Sequence, residues 1–474
     1  MVFDPSDERN RLIKALDGRA KAVKEADDWF EGRHPIPTPP PNTAAAVDAE
    51  ARAAFDAMSR LAVTNLLPPI VTAPARKLDP QGFQLSQDPS KTDGDAWTIW
   101  LRNDMDSEGG VLADDTLRTG QSIVLVWPGA DGKAVITVED PAQCLVSYAA
   151  GSRKVRRSAI KRWTDEDGYT CVTVYTPQFL YKWRATTKQV TGLHLPSASE
   201  SWAKREVPGE PWPLPNPFGE VTMAEVAIGR GSKSRTFGGG VPYFTGQLNE
   251  QRKINQTVMN LLVTMEYQAF RQRWVTGWDF PLLEDGTPDR TAIAKASAAR
   301  VMAFSSDDPQ AAEQIRVGEF SQADFTPFGK MMELWIKFMA STSSTPPYAF
   351  LLGDMVNVAA DALARIDGEH IASVEFLARM IGRGESEIMR LCFLVEGNPK
   401  ANDPVISTVW GEFENRTGAE QAEMASTLND VGAPKEAVFG SFKGVSAFQA
   451  SQWARSAEGR ALLAAANQPA PQPA

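Results

Sequence analysis

The residues of this chain with the most obvious capacity for chemistry are three histidines and a lysine. Only the lysine lies in a glycine-rich segment. His34, His194 and His370 stand far apart, and none belongs to the His-Glu-x-x-His pattern that holds zinc on a helix. Lys233 lies in residues 229–234, GRGSKS, whose spacing differs from the Gly-x-x-x-x-Gly-Lys-Ser/Thr loop that cradles phosphates. The chain also lacks the Gly-x-Ser-x-Gly turn of serine hydrolases. The sequence therefore predicts no enzyme, no cofactor and no bound metal.

Paired carboxylates are the remaining route to catalysis. Asp104 and Asp106 flank a methionine, and Asp114 directly precedes Asp115, so a divalent cation for nucleic-acid cleavage is conceivable. Pairs of this kind are more often solvated surface or helix caps. We keep a nucleic-acid-processing enzyme only as a third hypothesis, which an assay for metal-dependent cleavage of DNA would test.

One cluster of cations could bind nucleic acid. It occupies the segment SRKVRRSAIKRW and consists of Arg153, Lys154, Arg156, Arg157, Lys161 and Arg162. Clustered basic residues bind phosphate. Charged residues also protect an edge strand against aggregation. We favour the edge strand, because few aromatic residues interleave with the cations to stack on bases.

Composition describes a large, acidic, globular chain. Its 474 residues predict about three domains. The net charge of −10 argues against a tight grip on nucleic acid, because clustered lysine and arginine supply that affinity. Cys144, Cys171 and Cys392 are far apart and predict buried thiols in a reducing compartment. No apolar run has the length of a membrane span, and the charged N-terminus is unlike a signal peptide.

Three long helices dominate the second half of the chain. The first is expected over Gly240–Arg271, with apolar residues three or four apart from Phe244 onward. The second begins at Thr326-Pro327, a cap followed by proline, and ends before Pro346-Pro347. The third carries a long series of apolar residues from Leu363 to Leu394. Residues 274–320 interrupt the helical periodicity and predict short strands at 300–304 and 315–320.

The first half of the chain mixes helices with a run of strands. Helices are predicted over 5–32, 44–67 and 96–119, with a short strand at Ile70-Val71. Strands are predicted on both sides of the Gly-Ala-Asp-Gly turn at 129–132, and again over 156–163, 170–175 and 179–184. After residue 398 we expect a strand at 406–410, helices at 418–428 and 450–466, and a disordered C-terminal tail. Helices followed by meandering strands indicate an α+β fold.

Several of these segments resemble the portal proteins of siphophages. The resemblance rests on the segments SSTPPYAFLLGD (343–354) and NVAADALARIDGEHI (357–371), and on QLNEQRKINQTV (247–258) in the first long helix. DDWFEGRHP (27–35) is similar to a short aromatic-Gly-His segment of that family, in which His34 is a loop residue and not a ligand. NPFG (216–219) also resembles a segment of that family, although the proline that follows it in the family is missing here. The resemblance extends from about residue 29 to 396.

The resemblance implies an α+β portal fold with a wing of helices and strands, long stem helices, a small α/β clip and a helical crown. The corresponding ranges are 1–235 for the wing, 236–271 for the first stem helix, 272–321 for the clip, 322–343 for the second stem helix, 344–357 for the tunnel loop, and 358–474 for the upper wing helix and crown. In such a protein about twelve copies form a closed ring at one capsid vertex, joined by heterologous interfaces. Double-stranded DNA passes through the ring during packaging and ejection.

The same resemblance implies partners and contact residues. The partners are further copies of the chain, the terminase large subunit, major capsid and scaffolding proteins, and head-completion or adaptor proteins, with no membrane. The location is the portal vertex of the virion, and the host cytoplasm during assembly. The DNA-facing tunnel loop comprises Pro346, Pro347, Tyr348, Phe350, Leu351, Leu352, Met355 and Asn357. The stem carries Arg252, Lys253, Lys330 and Lys337.

The runner-up is a capsid-associated minor head or structural protein without a channel. The two hypotheses differ in the mass of the assembly, because a portal forms a ring of about twelve subunits whereas the alternative is a monomer or a small oligomer.

Overall fold

The computed structural model describes residues 3–36, 49–87, 92–152, 154–188, 201–229, 237–269, 273–276, 301–304, 316–319, 324–350, 360–414, 418–442, 445 and 447–456. The chain divides into two compact units. The first unit comprises Met1–Glu31, Leu67–Gly246 and Ser343–Ala474, and the second comprises Gly32–Leu66 and Gln247–Thr342.

Runs of helices and runs of strands follow one another along the described chain. The helices are α1 (Pro5–Phe30), α2 (Ala49–Leu61), α3 (Pro68–Ala75), α4 (Gly94–Arg102), α5 (Met105–Thr119), α6 (Leu248–Ala269), α7 (Thr326–Ser343), α8 (Ala360–Val395), α9 (Gly418–Asp430), α10 (Lys435–Gly440) and α11 (Ala447–Arg455). Among the described residues, 3-10 turns lie at Tyr243–Gln247, Pro347–Phe350 and Pro399–Asn402. The strands are β1 (Pro80–Leu85), β2 (Gln121–Pro128), β3 (Ala134–Glu139), β4 (Cys144–Tyr148), β5 (Arg156–Thr164), β6 (Tyr169–Tyr175), β7 (Phe179–Lys188), β8 (Trp202–Lys204), β9 (Leu214–Pro215), β10 (Met223–Ala227), β11 (Arg273–Thr276), β12 (Val301–Phe304), β13 (Arg316–Glu319) and β14 (Ile406–Trp410).

Side-chain caps fix the start of two helices in the first unit. Asp4 accepts a hydrogen bond of 2.7 Å from the amide of Ser6, and Pro5 occupies the first position of α1, where no amide donor is needed. Asp93 caps α4 in the same way through the amide of Ala96, at 2.9 Å. These aspartates satisfy amides that the helix itself leaves without partners.

The largest sheet of the first unit has the strand order β4-β5-β6-β7-β8, with β9 paired to β7. Helix α1 lies on one face of it, where Leu12, Ile13 and Leu16 are fully buried among apolar residues of the strands that include Ile160 and Trp183. The opposite face of the sheet is also covered by an apolar cluster, which contains Met223 of β10. Because both faces are covered, every residue of β4 is buried, whereas β7 still alternates apolar and polar residues over 181–185.

Helix α8 is the long central element of the first unit. It packs on β10 and β2 of a three-stranded sheet of order β10-β2-β3, and on β14, which pairs with β1. At Gly384 the helix approaches β10 so closely that an added Cβ atom would lie 2.6 Å from a methyl carbon of Val226. Glycine is therefore required for this contact between the helix and the sheet.

The second unit contains α2, α6, α7 and a small sheet of order β12-β11-β13. In that sheet β11 runs parallel to β12 and antiparallel to β13. The short strands expected at 300–304 and 315–320 are thus confirmed, and β11 was not predicted. The chain between these strands, 277–300 and 305–315, lies outside the described residues.

Several sequence expectations are confirmed. The helix at 5–32, the second and third long helices, the strand at 406–410 and the strand run from 156 to 188 all occur. Strand β10 lies after the NPFG segment with Met223 opposite Leu125 of β2. The three cysteines are buried free thiols. The expected C-terminal tail lies outside the described residues.

One expected strand is wrong, and three expected helices occur with different bounds. Ile70 and Val71 belong to helix α3 and not to a strand, because Pro68 and Pro69 stand in its first turn, where proline is compatible with a helix. Helix α2 covers 49–61 within the expected range 44–67. The helix expected over 96–119 is divided into α4 and α5 at Asp104, whose φ is +53°. The first long helix begins only at Leu248, after a 3-10 turn.

Strand β5 is not an edge strand. It lies between β4 and β6, so its cations protect no open edge. That part of the sequence interpretation is wrong, and the contacts of the cations explain their presence instead.

Candidate functional site

The cations of β5 are used for internal ion pairs. The side chain of Arg162 is almost completely buried and binds Asp17 at 2.6 Å. Lys161 binds Glu139 at 2.5 Å, and Arg157 binds Glu8 at 3.2 Å. A cation held in this way is not available to phosphate, so the nucleic-acid interpretation of this segment has no support from these residues. Lys154 is exposed on the turn before the strand, and Arg153 lies outside the described residues.

The turn that follows α7 is anchored to α8 by side-chain hydrogen bonds. The hydroxyl of Tyr243 lies 2.8 Å from the Ser373 hydroxyl and donates to the carbonyl of Ser343 at 3.3 Å. His370 is buried, and its Nδ1 lies 2.9 Å from the carbonyl of Ser344, a residue with a φ of +51°. Burial lowers the pKa of His370 despite that bond. His370 is therefore a structural residue that stabilises the turn.

Four of the predicted tunnel-loop residues lie in this turn. Pro346 and Phe350 are buried, Pro347 is half-buried, and Tyr348 is 43% exposed. Among these four, Tyr348 has the most accessible side chain. The predicted residues Leu351, Leu352, Met355 and Asn357 lie outside the described residues.

The predicted stem cations are all exposed. Arg252 and Lys253 lie on α6, and Lys330 and Lys337 lie on α7. Lys253 pairs with Glu250 at 3.3 Å and stands 4.8 Å from the ring centroid of Trp335. This cation–π contact joins α6 to α7 within the second unit.

Helix α7 also exposes a row of large apolar side chains. Met331, Leu334 and Phe338 are 40%, 39% and 47% exposed, and their spacing places them on one side of the helix. Ile336 and Met339 are buried. The helix is thus apolar on more of its circumference than the described residues cover, which is typical of a surface that binds another protein.

A buried polar network holds α6 against residues 62–66. Gln251 is fully buried, accepts a hydrogen bond of 3.0 Å from the amide of Leu66, and donates one of 2.9 Å to Asn255. Asn255 in turn contacts Nδ1 of His34 at 2.9 Å. His34 is thus a buried structural residue. Sequence reasoning missed this network because its two sides lie far apart in the chain.

The carboxylates considered for catalysis lie along α5 and at its start. Asp115 pairs with Arg118 at 2.8 Å, and Asp104 and Asp106 are exposed at the start of α5. Lys233 lies outside the described residues. Within the described part of the chain, no group of three or more histidine, cysteine or carboxylate side chains is arranged to hold a metal ion.

None of the helices that the structure describes is both long and apolar enough to span a lipid bilayer.

Two comparisons with known proteins bear on this arrangement. Residues 9–454 match the profile of the family described as phage portal protein, SPP1 Gp6-like. The chain is also 23% identical over 446 residues to the portal protein of Mycobacterium phage D29, an alignment that covers 90% of this chain and 83% of the relative.

Proposed function

Since the chain belongs to the SPP1 Gp6-like family of phage portal proteins, we propose that about twelve copies form a closed ring at one capsid vertex. Double-stranded DNA enters the capsid through the central channel of this ring during packaging and leaves through it during ejection. The chain acts as a structural component of the virion, and a separate motor supplies the energy of packaging.

The parts of the ring follow from the family assignment. We assign residues 1–235 to the wing, 236–271 and 322–343 to the two stem helices, 272–321 to the clip, 344–357 to the tunnel loop, and 358–474 to the upper wing helix and crown. The clip receives the terminase large subunit during packaging and the head-completion or adaptor proteins afterwards. The wing and crown contact the major capsid and scaffolding proteins. Assembly takes place in the host cytoplasm, and the finished ring stays at the portal vertex.

The observation that carries the proposal of a ring is the apolar row on α7. Large apolar side chains that are exposed together indicate an interface, and Met331, Leu334 and Phe338 form such a row. In a ring each copy meets its neighbour through two different surfaces, and a stem helix has a neighbour on both sides. We assign the apolar row to the contact with the adjacent stem.

The tunnel loop fits a part that lets DNA slide. Residues 344–357 contain no lysine or arginine, so the loop cannot make charge-assisted hydrogen bonds to phosphate. Its contact with a duplex is therefore weak and largely steric, which permits passage and hinders return. Tyr348, the exposed residue of the described part, is the one we assign to this contact.

Sedimentation velocity and electron microscopy of the purified chain test the ring. We expect particles of about twelve copies with a central hole. Leu334→Ser with Phe338→Ser should shift the population toward monomers, because both substitutions remove apolar area from the interface. Val431→Ser is the matched control, since Val431 is 74% exposed on a loop of the first unit.

A wild-type chain that remains monomeric at micromolar concentration and at every salt concentration contradicts the proposal. That outcome would favour the minor head protein without a channel, which the family assignment otherwise disfavours. A ring that tolerates the two serine substitutions would leave the channel in place and remove α7 from the interface.

A further inference from the structure

A cleft of about 590 Å³ opens on the first unit beside α8. Its walls are α8, the end of the large sheet at β4 and β5, and the loop that precedes β14. Its lining is rich in cations, namely Lys154, Arg156, Arg379, Arg383 and Arg390. The carboxylates of the lining are Glu225, Glu387 and Asp403. The whole chain has a net charge of −10, so this surface has the opposite sign to the protein that carries it.

The charged side chains at the floor of the cleft are paired with one another. Arg156 pairs with Glu220 at 2.7 Å and with Glu387 at 2.6 Å. Arg390 binds the same two carboxylates at 2.6 and 2.8 Å. Burial lowers the pKa of Arg390, but hydrogen bonds and charge interactions with Glu387 and Glu220 raise it overall. Two arginines and two glutamates thus neutralise each other and form a rigid base.

The other two carboxylates of the lining are also occupied. Glu225 accepts a hydrogen bond of 2.9 Å from the hydroxyl of Tyr148. Asp403 accepts bonds from the hydroxyl of Ser86 at 2.5 Å and from the amide of Val405 at 2.9 Å, which fix the loop before β14. Both carboxylates therefore serve the fold of this chain.

Three cations at the rim of the cleft form no ion pair within the described residues. Lys154, Arg379 and Arg383 are exposed, and the described part of the chain provides no hydrogen-bonding or ion-pairing acceptor for their side chains. Arg379 and Arg383 stand one turn apart on α8 and face the same side. Three uncompensated positive charges around one cleft favour an anionic occupant.

The surroundings favour a polypeptide over a nucleic acid. Phe376 lies on the same side of α8 as the two arginines and is 57% exposed, and Val155 and Val405 at the rim are 61% and 54% exposed. Arginine and exposed aromatic residues together are typical of protein interfaces. Single-stranded nucleic acid requires aromatic faces for stacking, and the only aromatic residue in the lining, Tyr148, is largely buried.

A surface of the complementary kind lies at the junction of α4 and α5, over residues 101–111. Asp104, Asp106 and Glu108 are exposed there, and the apolar residues Leu101 and Val111 beside them are 43% and 47% exposed. No ion pair within the described residues involves these three carboxylates. We call this surface the acidic corner.

One copy cannot place its own acidic corner in its own cleft. Arg102, within the corner, pairs with Glu396, which directly follows the end of α8. Arg383 lies about 18 Å of helix axis before the end of α8 at Val395, at ~1.5 Å per residue. A rigid helix keeps the two surfaces apart, so each must find its complement on another copy, as in a heterologous interface.

We infer that the cleft beside α8 binds the acidic corner, residues 101–111, of a second copy of this chain. The inference rests on the proposed ring and assigns a second contact between neighbouring copies, on the first unit. The carboxylates of the corner pair with Lys154, Arg379 and Arg383, while Leu101 or Val111 covers the apolar rim.

Charge reversal followed by charge exchange tests the contact. Arg379→Glu with Arg383→Glu should raise the concentration at half assembly about tenfold or more, because like charges then face each other. Asp106→Arg with Glu108→Arg should do the same from the other side. The chain with all four substitutions restores opposite charges, so its assembly should return to within about threefold of wild type.

The control variant changes the net charge by the same amount as the cleft reversal, but its substitutions lie away from the cleft. Lys435→Glu with Arg455→Glu changes two exposed cations of the first unit, on α10 and α11, and should leave assembly unchanged. Circular dichroism of every variant shows whether it is folded.

The outcomes separate the two proposals. If the wild type forms rings and either reversal assembles equally well, the contact is refuted and the ring stands. If both reversals fail and the fourfold variant is no better, the acidic corner is not the occupant. If only the cleft reversal weakens binding of duplex DNA while assembly is normal, the cleft takes nucleic acid instead. A wild type that stays monomeric refutes the ring and the contact together.

Discussion

The phenolic hydroxyl of Tyr348 donates a hydrogen bond of 2.8 Å to the carboxylate of Asp367, which joins the 3-10 turn after α7 to the first part of α8. Burial and this bond raise the pKa of Tyr348 to about 12, so the phenol stays protonated. The tyrosine therefore has one end fixed by α8, while much of its ring remains exposed. That geometry gives separate roles to the hydroxyl and to the ring.

Tyr348→Ala removes the exposed ring, and we expect normal rings that package less DNA, because the assigned steric contact with the duplex is lost. Tyr348→Phe is the matched control. It retains the ring and should cost only about 1 kcal/mol of stability for the hydrogen bond. The measurements are particle counts by electron microscopy and nuclease-protected DNA per particle. If Tyr348→Ala prevents ring formation, the residue belongs to a packing contact and the tunnel assignment is wrong.

Glu385 predicts a pH dependence of stability. It is buried on α8, and burial raises its pKa from 4.5 to about 8. Between these pH values the folded state binds more protons than the unfolded state. The free energy of unfolding should therefore fall as pH rises, by about 1.4 kcal/mol per pH unit.

Glu385→Gln removes this titration while retaining the shape of the protonated side chain. We expect the variant to resemble the wild type near pH 4.5 and to be increasingly more stable as pH approaches 8. Denaturant unfolding across that range measures the difference. Glu375→Gln, at an exposed position of the same helix, is the control. A constant difference at all pH values would show that Glu385 does not titrate in this window.

Two glycines of α8 should respond oppositely to alanine. At Gly384 the new methyl group would lie 2.6 Å from a side-chain carbon and 3.0 Å from Cα of Val226, so Gly384→Ala should destabilise by about 1–3 kcal/mol. At Gly368 nothing lies within 4 Å, and Gly368→Ala should stabilise by about 0.5–1 kcal/mol through helix propensity. Thermal unfolding compares the pair. Equal effects would mean that α8 does not lie against β10 as closely as described.

The chain should not hydrolyse ATP. Lys233 stands in a glycine-rich segment without the spacing of a phosphate-binding loop, so packaging energy must come from another protein. Phosphate release by the purified wild type should equal that of Lys233→Ala and of buffer alone. ATP turnover that disappears in Lys233→Ala would contradict this prediction.

Local signals allowed much of the secondary structure to be predicted. Thr326-Pro327 and the prolines at 346–347 define α7, and sustained apolar spacing defines α8. Strand β4 was missed because all its residues are buried, so it shows no alternation of apolar and polar residues.

The candidate interface could not be read from the sequence. Arg156, Glu220, Glu387 and Arg390 come from three distant segments, and each looks like an ordinary surface charge until the fold brings them together. The stem cations could be placed on helices from local apolar spacing, and their role in a stem stays a prediction. Pairing over long sequence separations leaves no such local pattern.

The uninterrupted length of α8 has a mechanical consequence. The helix has 36 residues and is therefore about 54 Å long. Its first turns hold Asp367 and His370 against the 343–350 turn, its middle carries Arg379 and Arg383, and its end meets the ion pair of Glu396. A stiff rod transmits force along its length. In the proposed ring, a duplex that pushes on the turn would load the start of this rod, and the arginines would pass the load to the neighbouring copy.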